Sequence, residues 1–140
     1  MDVYFNFISN NPILFLLFFV ILAFIIFNEY KSITQKFKNI SPQDAVFLIN
    51  KDAFILDVRE SSELSQGIIK NSKHINFSSV KTSLDSIKKY KDKPTIVYCK
   101  SGARSSTVSN ILTKNHFDEV YSLKGGFDAW ISDNLPISKN

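Results

Sequence analysis

Apolar positions follow two regimes along this chain. Residues 13–27 form an unbroken apolar run, and no charge occurs between Val3 and Asn28. A helix apolar on every side is either buried in a large protein or crosses a bilayer. Fifteen helical residues reach only about 22 Å, short of a hydrocarbon core of about 30 Å. Extending the segment back through Ile8–Pro12 supplies the twenty residues of a single crossing, so a transmembrane helix is predicted over about 8–28. Some hundred residues remain, too few to bury such a helix. A cleaved signal peptide fits less well, because Asp2 is the only charged side chain before Glu29 and no small-residue cleavage site follows the run.

Beyond Asn28 the pattern shortens and alternates. Residues 29–40, with Ile33, Phe37 and Ile40 spaced among polar residues, predict a helical continuation and a juxtamembrane linker. Ser41-Pro42-Gln43-Asp44 has the form of a helix start, with Ser as N-cap, Pro in the first turn and an acid behind it. Phe54-Ile55-Leu56 predicts a buried parallel strand that delivers Asp57-Val58-Arg59-Glu60 at its C-terminal edge. Val80, Leu84 and Ile87 have helical spacing, Thr95–Tyr98 is the next strand, and Ser105–Lys114 the next helix, with Val108, Ile111 and Leu112 inward. Val120-Tyr121-Ser122-Leu123 is a further strand, followed by Gly125-Gly126 and a short helix carrying Phe127 and Trp130. Strands alternating with helices imply an α/β fold with a parallel-rich sheet and helices on both faces, preceded by one transmembrane helix. The predicted organisation is 1–28 for the N-terminal segment, 29–40 for the linker and 41–138 for the domain.

Charge adds an orientation. The formal net charge of +4 is modest and its lysines are scattered, which suits a solvated face rather than a nucleic-acid surface. No Lys or Arg precedes the apolar run, whereas Lys31, Lys36 and Lys38 follow it. The positive-inside rule then places the N-terminus outside and the domain in the cytoplasm, on the inner (cell) membrane. A single cysteine excludes an intrachain disulfide, and one Cys with two distant histidines, His74 and His116, offers no recognisable metal site.

That cysteine carries the candidate chemistry. By default a lone Cys is a small buried hydrophobe. Cys99, however, ends a predicted strand and opens the loop Cys99-Lys100-Ser101-Gly102-Ala103-Arg104-Ser105 in front of a predicted helix. Ligand crevices of open α/β sheets lie outside the strands' carboxyl ends. Helix N-terminal amides, together with Lys100 and Arg104, favour a thiolate or a bound anion there. The positions from Cys99 through Lys100, Ser101, Gly102, Ala103 and Arg104 can curl into a bowl whose N–H groups converge on that charge, and Gly102 permits the backbone angles required. Lys100 is the candidate attractor for an anionic donor, and Arg104 braces the loop or its ligand. Ser101 and Ser105 can donate hydrogen bonds or cap the helix, with capping expected for Ser105. Asp57 and Arg59 form a plausible buried acid–base pair. His74 is expected to be an ordinary strand residue, Trp130 core, and Gly125-Gly126 a tight turn beside the loop.

These pieces, in this order, resemble a single-domain rhodanese over residues 41–138. They are Leu56-Asp57-Val58-Arg59-Glu60 with Glu63, then Gly67, then Ile96-Val97-Tyr98-Cys99 with its loop, then Val120 through Trp130, and finally Leu135-Pro136. With the apolar segment attached, the chain resembles the membrane-anchored bacterial rhodaneses of the YibN type. The resemblance implies a sulfurtransferase in which Asp57 and Arg59 support the active-site loop. Four residues between Cys99 and Arg104 match the sulfurtransferase loop, where related phosphatases have one more. Two departures stand out: Gly67-Ile68-Ile69-Lys70-Asn71-Ser72 replaces the usual Gly-His-Ile-Pro-Gly-Ala, and His116 replaces a helix-ending glycine. The expected activity is transfer of a sulfane sulfur, as a Cys99 persulfide, from a small anionic donor to a thiol, protein or cyanide acceptor, without a cofactor. The alternative is a membrane-tethered binding module, and a membrane-protein partner is compatible with either.

Overall fold

The computed structural model describes residues 2–33 and 36–139, which fall into two compact units joined around Thr34 and Gln35. The first unit holds helices α1 (Asp2–Asn10) and α2 (Pro12–Ile33). Pro12 has no N–H to continue the first helix, and the Asn11 side-chain amide closes α1 on the Phe7 carbonyl at 3.0 Å. The predicted crossing therefore does not run unbroken from Ile8. Its apolar part is Pro12–Tyr30, 19 residues with mean hydropathy 2.5 and none of it buried. At about 1.5 Å per residue this helix is about 28 Å long, enough to cross a membrane.

The expected helical continuation holds as far as Ile33, where α2 ends, and the second unit corrects the rest of the expected linker. Phe37 is buried, and Lys38–Ile40 is a strand, β1, rather than helix. Three residues are too few for a period to show in the sequence. The part of the expected linker at Thr34 and Gln35, and the side chains of Lys31 and Ile33, lie outside the described residues. The chain continues through α3 (Pro42–Ile49), β2 (Phe54–Asp57), β3 (Lys73–His74), α4 (Val80–Ser83), β4 (Thr95–Tyr98), α5 (Ala103–Lys114), β5 (Val120–Leu123) and α6 (Gly126–Ser132). Ser41 caps α3 by accepting the Asp44 N–H, as its sequence predicts. Val80 and Ile87 are fully buried, but the helix expected there is broken into one turn of α4 and 3-10 turns at Phe77–Ser79, Leu84–Ser86 and Lys88–Tyr90.

All strand pairs are parallel, in the order β1-β5-β4-β2-β3. Alternation along the central strands splits the core between two faces. Phe54, Leu56 and Val97 pack with Val108 and Leu112 of α5 and with Val80 and Ile87, whereas Ile55, Ile96 and Tyr98 pack with Ala45 of α3 and Phe127 and Trp130 of α6. Both faces of the sheet are thus covered, and the central strands β2 and β4 are buried along their whole length, so their polar neighbours emerge beyond their ends.

Both departures in sequence keep a backbone that glycine would otherwise supply. Asn71, standing for the second glycine of the 67–72 turn, has φ +64, and Asn is among the residues that tolerate this region. His116 has φ +64 just past α5, and the Phe117 N–H returns to the Leu112 carbonyl at 3.2 Å. This is the closing bond of a Schellman end, made by backbone conformation.

Candidate active site

Strands β2 and β4 end side by side, with Asp57 opposite Tyr98, so the segments that follow them meet. Cys99 comes directly after β4 and has no exposed surface. Its Sγ accepts the Gly102 N–H at 3.0 Å. Gly102 is the N-cap of α5 at φ +109, a conformation that only glycine adopts readily. Behind the loop, the Phe127 N–H donates to the Cys99 carbonyl at 2.8 Å and the Asp128 N–H to the Lys100 carbonyl at 3.0 Å. The start of α6 thereby holds the loop carbonyls away from the sulfur, which leaves the amide side of the loop for negative charge. Gly126 makes this approach possible, because a Cβ there would lie 2.5 Å from both carbonyl oxygens. The Gly-Gly turn is thus part of the loop's support, as its sequence position predicts.

Lys100, Ser101 and Ala103 are exposed on the loop. No ion-pair partner for Lys100 occurs among the described residues. Arg104 instead makes a fork on Glu63, with Nη1–Oε2 2.8 Å and Nη2–Oε1 2.9 Å, and only 28% and 20% of the two side chains exposed. The Nη1–Nη2 edge of the guanidinium is therefore spent on Glu63 and not on the sulfur. The Arg104 bonds hold the Glu63 carboxyl down at about 2, helped by the Glu60 N–H that donates to it at 2.7 Å, while burial opposes them. Arg104 is raised in return, first by its bonds to Glu63.

Beneath this pair lies the expected acid–base couple. Asp57 and Arg59 are fully buried and joined at 2.7 Å, with further bonds from Arg59 Nε to both carboxylate oxygens. The remaining Arg59 donors reach the Glu63 carbonyl at 3.2 Å and the Gly67 carbonyl at 2.8 Å, and the guanidinium stacks 4.0 Å over Phe127. Burial pulls the Arg59 guanidinium down, but the bonds and charge of Asp57 outweigh it and the net direction is up. The Tyr98 hydroxyl donates to Asp57 at 2.7 Å, and burial followed by the Asp57 charge pushes that phenol well up. It also accepts the Ile69 N–H at 3.2 Å and meets the Ser72 hydroxyl at 3.1 Å, so the altered 67–72 turn is anchored on the same network. His74 is a strand residue whose Nε2 lies 2.7 Å from the Arg59 carbonyl, and Trp130 is buried with its indole N–H on the Pro136 carbonyl.

Ser105 departs from expectation. It sits in the third position of α5, not at its cap, and is fully buried. Its hydroxyl lies 3.0 Å from the Gly102 carbonyl, 2.8 Å from the Ser122 hydroxyl and 3.7 Å from Cys99 Sγ. The physical reason is that Gly102, in the left-handed region at φ +109, is itself the N-cap, so Ser105 falls at the third helical position and turns inward beneath the sulfur. Sequence reasoning assigned no role to Ser122, nor any to Glu63 as the partner of Arg104. The Glu60-x-x-Glu63 spacing of a capping box was a usable signal for Glu63. A cleft of about 360 Å³ lies beside the loop, bounded among others by Ser101, Gly102, Ser106, Ser122 and Lys124.

A cysteine held on this loop between a parallel sheet and a helix start defines the class, and the chain belongs to the rhodanese-like domain family, whose pattern it matches over residues 41–133. YibN from Escherichia coli (strain K12) is 35% identical over 134 residues, 94% of each chain. Thiosulfate sulfurtransferase GlpE from Glaesserella parasuis serovar 5 is 34% identical over 104 residues, covering 74% of this chain and 94% of that one. The crystal structure of a rhodanese-related protein from Thermoplasma volcanium matches with a TM-score of 0.68 at 29% identity, covering 74% of this chain and 100% of that one. The expected α/β fold and the YibN-type relationship are both borne out. Sulfur transfer is the general chemistry this membership supports, and α2 has the length and composition of a membrane anchor or a signal sequence.

Proposed function

We propose that this protein is a membrane-anchored sulfurtransferase that carries a sulfane sulfur on Cys99. The observation that supports it most directly is the Cys99 sulfur facing the Gly102 amide, on a loop of sulfurtransferase length. In the first half-reaction the Cys99 thiolate attacks the outer sulfur of thiosulfate or a similar anionic donor. A Cys–S bond to that sulfur forms, the donor's S–S bond breaks, and sulfite leaves with the electron pair. In the second, a thiol or cyanide attacks the outer sulfur and Cys99 departs as thiolate, giving a persulfide or thiocyanate. Gly102, with the amides of Lys100, Ser101, Ala103 and Arg104, cradles the charge. Lys100 attracts the donor, and Asp57, Arg59 and Ser105 support the loop. The N-terminal segment serves as the single-pass anchor, and the catalytic domain, whose sheet begins with β1, is held on the cytoplasmic side of the cell membrane.

Intact mass of the purified full-length protein after thiosulfate or polysulfide tests this reading. The expected result is a gain of one sulfur atom that cyanide discharges, and none in Cys99→Ser, whose hydroxyl is not ionised at neutral pH. No gain in the wild-type chain would favour a second reading, a rhodanese fold that holds a partner at the membrane. The absence of exposed surface on Cys99 is the observation on that side.

A further inference from the structure

We infer that Ser122 is a positioning residue for Cys99, acting through Ser105 to aim a hydroxyl proton at the sulfur. This rests on the proposed sulfur-carrying role of Cys99, and the atoms beneath the loop give it its form. Ser122 is 1% exposed, and the Ser105 hydroxyl, 2.8 Å away, is the partner its side chain has among the described residues. Ser105 has one proton and three neighbours: the Ser122 oxygen, the Gly102 carbonyl and Cys99 Sγ. The Gly102 carbonyl does not depend on that proton. It also receives the Ser106 hydroxyl at 2.9 Å and the Ser106 N–H at 3.2 Å, enough for both of its lone pairs.

The proton inventory then has two settings. With Cys99 as a thiol, S–H points to Ser105 Oγ and Ser105 donates to the Gly102 carbonyl. With a thiolate or persulfide anion, Ser105 turns its proton to the sulfur, while the Ser122 hydroxyl keeps donating into the second Ser105 lone pair and so strengthens Ser105 as a donor. Ser105 and the Gly102 N–H then both point protons at the sulfur, Ser122 backs Ser105 from behind, and neither serine hydroxyl is left without a partner. Among the described residues, the charged group that acts on this sulfur through space is Arg104, itself tied to Glu63, and Lys100 is exposed on the same loop. Neither Ser105 nor Ser122 changes sign with pH, so variants at these positions leave that charge pattern in place.

Cys99 is the chain's single cysteine, so alkylation of the full-length protein in detergent by uncharged iodoacetamide reports on this sulfur alone. Rates are measured across the neutral and mildly alkaline range for wild type, Ser122→Ala, Ser105→Ala and the double variant. Loss of one such hydrogen bond predicts alkylation about threefold slower at neutral pH in Ser122→Ala, with the rate curve displaced to higher pH. The decisive arm is the double variant: Ser122→Ala must add nothing once Ser105 is alanine. An unchanged curve in Ser122→Ala, or an equal effect in both backgrounds, overturns the proposal. Should Ser122→Ala fail to fold, the isosteric pair Ser122→Thr and Ser122→Val decides, the hydroxyl variant alkylating faster if the inference holds and equally if it does not. Intact mass after thiosulfate or polysulfide separates the two levels. A wild-type chain that gains no sulfur but shows the expected cycle loses the transferase reading and keeps the hydroxyl relay, and the converse result does the opposite.

Discussion

At the scale of single residues, the two loop cations divide their work by what already holds them. Lys100 is exposed with no ion-pair partner among the described residues, whereas Arg104 is forked onto Glu63. Lys100→Ala is therefore expected to raise KM for thiosulfate, to cost about 1 kcal/mol in kcat/KM, and to flatten the response to added salt, because less attraction remains to be screened. Steady-state kinetics at two ionic strengths checks this, and an unchanged KM would assign donor attraction elsewhere. Glu63 makes a prediction of a different kind. Its carboxyl is held at about 2 against an ordinary 4.5, so its pairing stabilises the fold fully above the ordinary value and fades as pH falls from there toward 2. Glu63→Gln should thus be less stable than wild type by about 1 kcal/mol at neutral pH, a figure set low because both partners are partly solvated. The deficit should shrink as pH drops through that window, read from denaturant melts of the full-length protein in detergent. A deficit that stays constant down to acid would mean that packing, not charge, is what the substitution removes.

At the scale of elements, what the sequence discloses and what it hides follow from range. Strands β2, β4 and β5 were legible because each is a short, mainly apolar run soon followed by charged residues, and a parallel sheet buried on both faces leaves that mark. Helix α3 declared itself through Ser41 and Pro42, and the Cys99 loop through its place between strand and helix. Strand β1 did not, since three residues, two of them polar, acquire strand geometry only by pairing with β5 some eighty positions away. The 77–90 segment misled for the opposite reason: Val80, Leu84 and Ile87 bury at helical spacing, yet the chain reaches those positions through 3-10 turns. At the site, Asp57 with Arg59 was readable as a local pair, while Arg104 with Glu63 and Ser105 with Ser122 are tertiary meetings that no window of sequence contains. The α6 start shows how such a meeting is enforced. Gly126 lets two α6 amides reach the carbonyls of Cys99 and Lys100, so Gly126→Ala would drive a methyl to 2.5 Å from both, at a φ of +61 that itself disfavours a side chain. The expected cost is at least about 2 kcal/mol of stability, together with loss of sulfur loading on Cys99, since relief requires the loop or α6 to move. Wild-type melting with wild-type loading in this variant would show that the loop does not need that backing.

At the scale of the whole molecule, the proposed anchor would fix the side of the membrane on which Cys99 works. The apolar helix Pro12–Tyr30 is bordered on one side by a stretch with no Lys or Arg and on the other by Lys31, Lys36 and Lys38. Cations close to a span resist translocation, whereas acids such as Asp2 contribute little, so this asymmetry favours holding residues 31–140 in the cytoplasm. The chemistry points the same way by an independent route. A lone cysteine kept as a thiol for sulfur exchange suits a reducing compartment, and an oxidising one would divert it to mixed disulfides. A reporter active only in the cytoplasm, fused after Asn140, should therefore be active, and the domain should resist protease added to intact spheroplasts and succumb once they are lysed. The same fusion in a chain whose Lys31, Lys36 and Lys38 are replaced by glutamine, with two lysines placed ahead of Pro12, should lose reporter activity. Retained activity in that chain would show that something other than the flanking cations orients it, and digestion in intact wild-type spheroplasts would place the Cys99 site outside the cell's reducing interior.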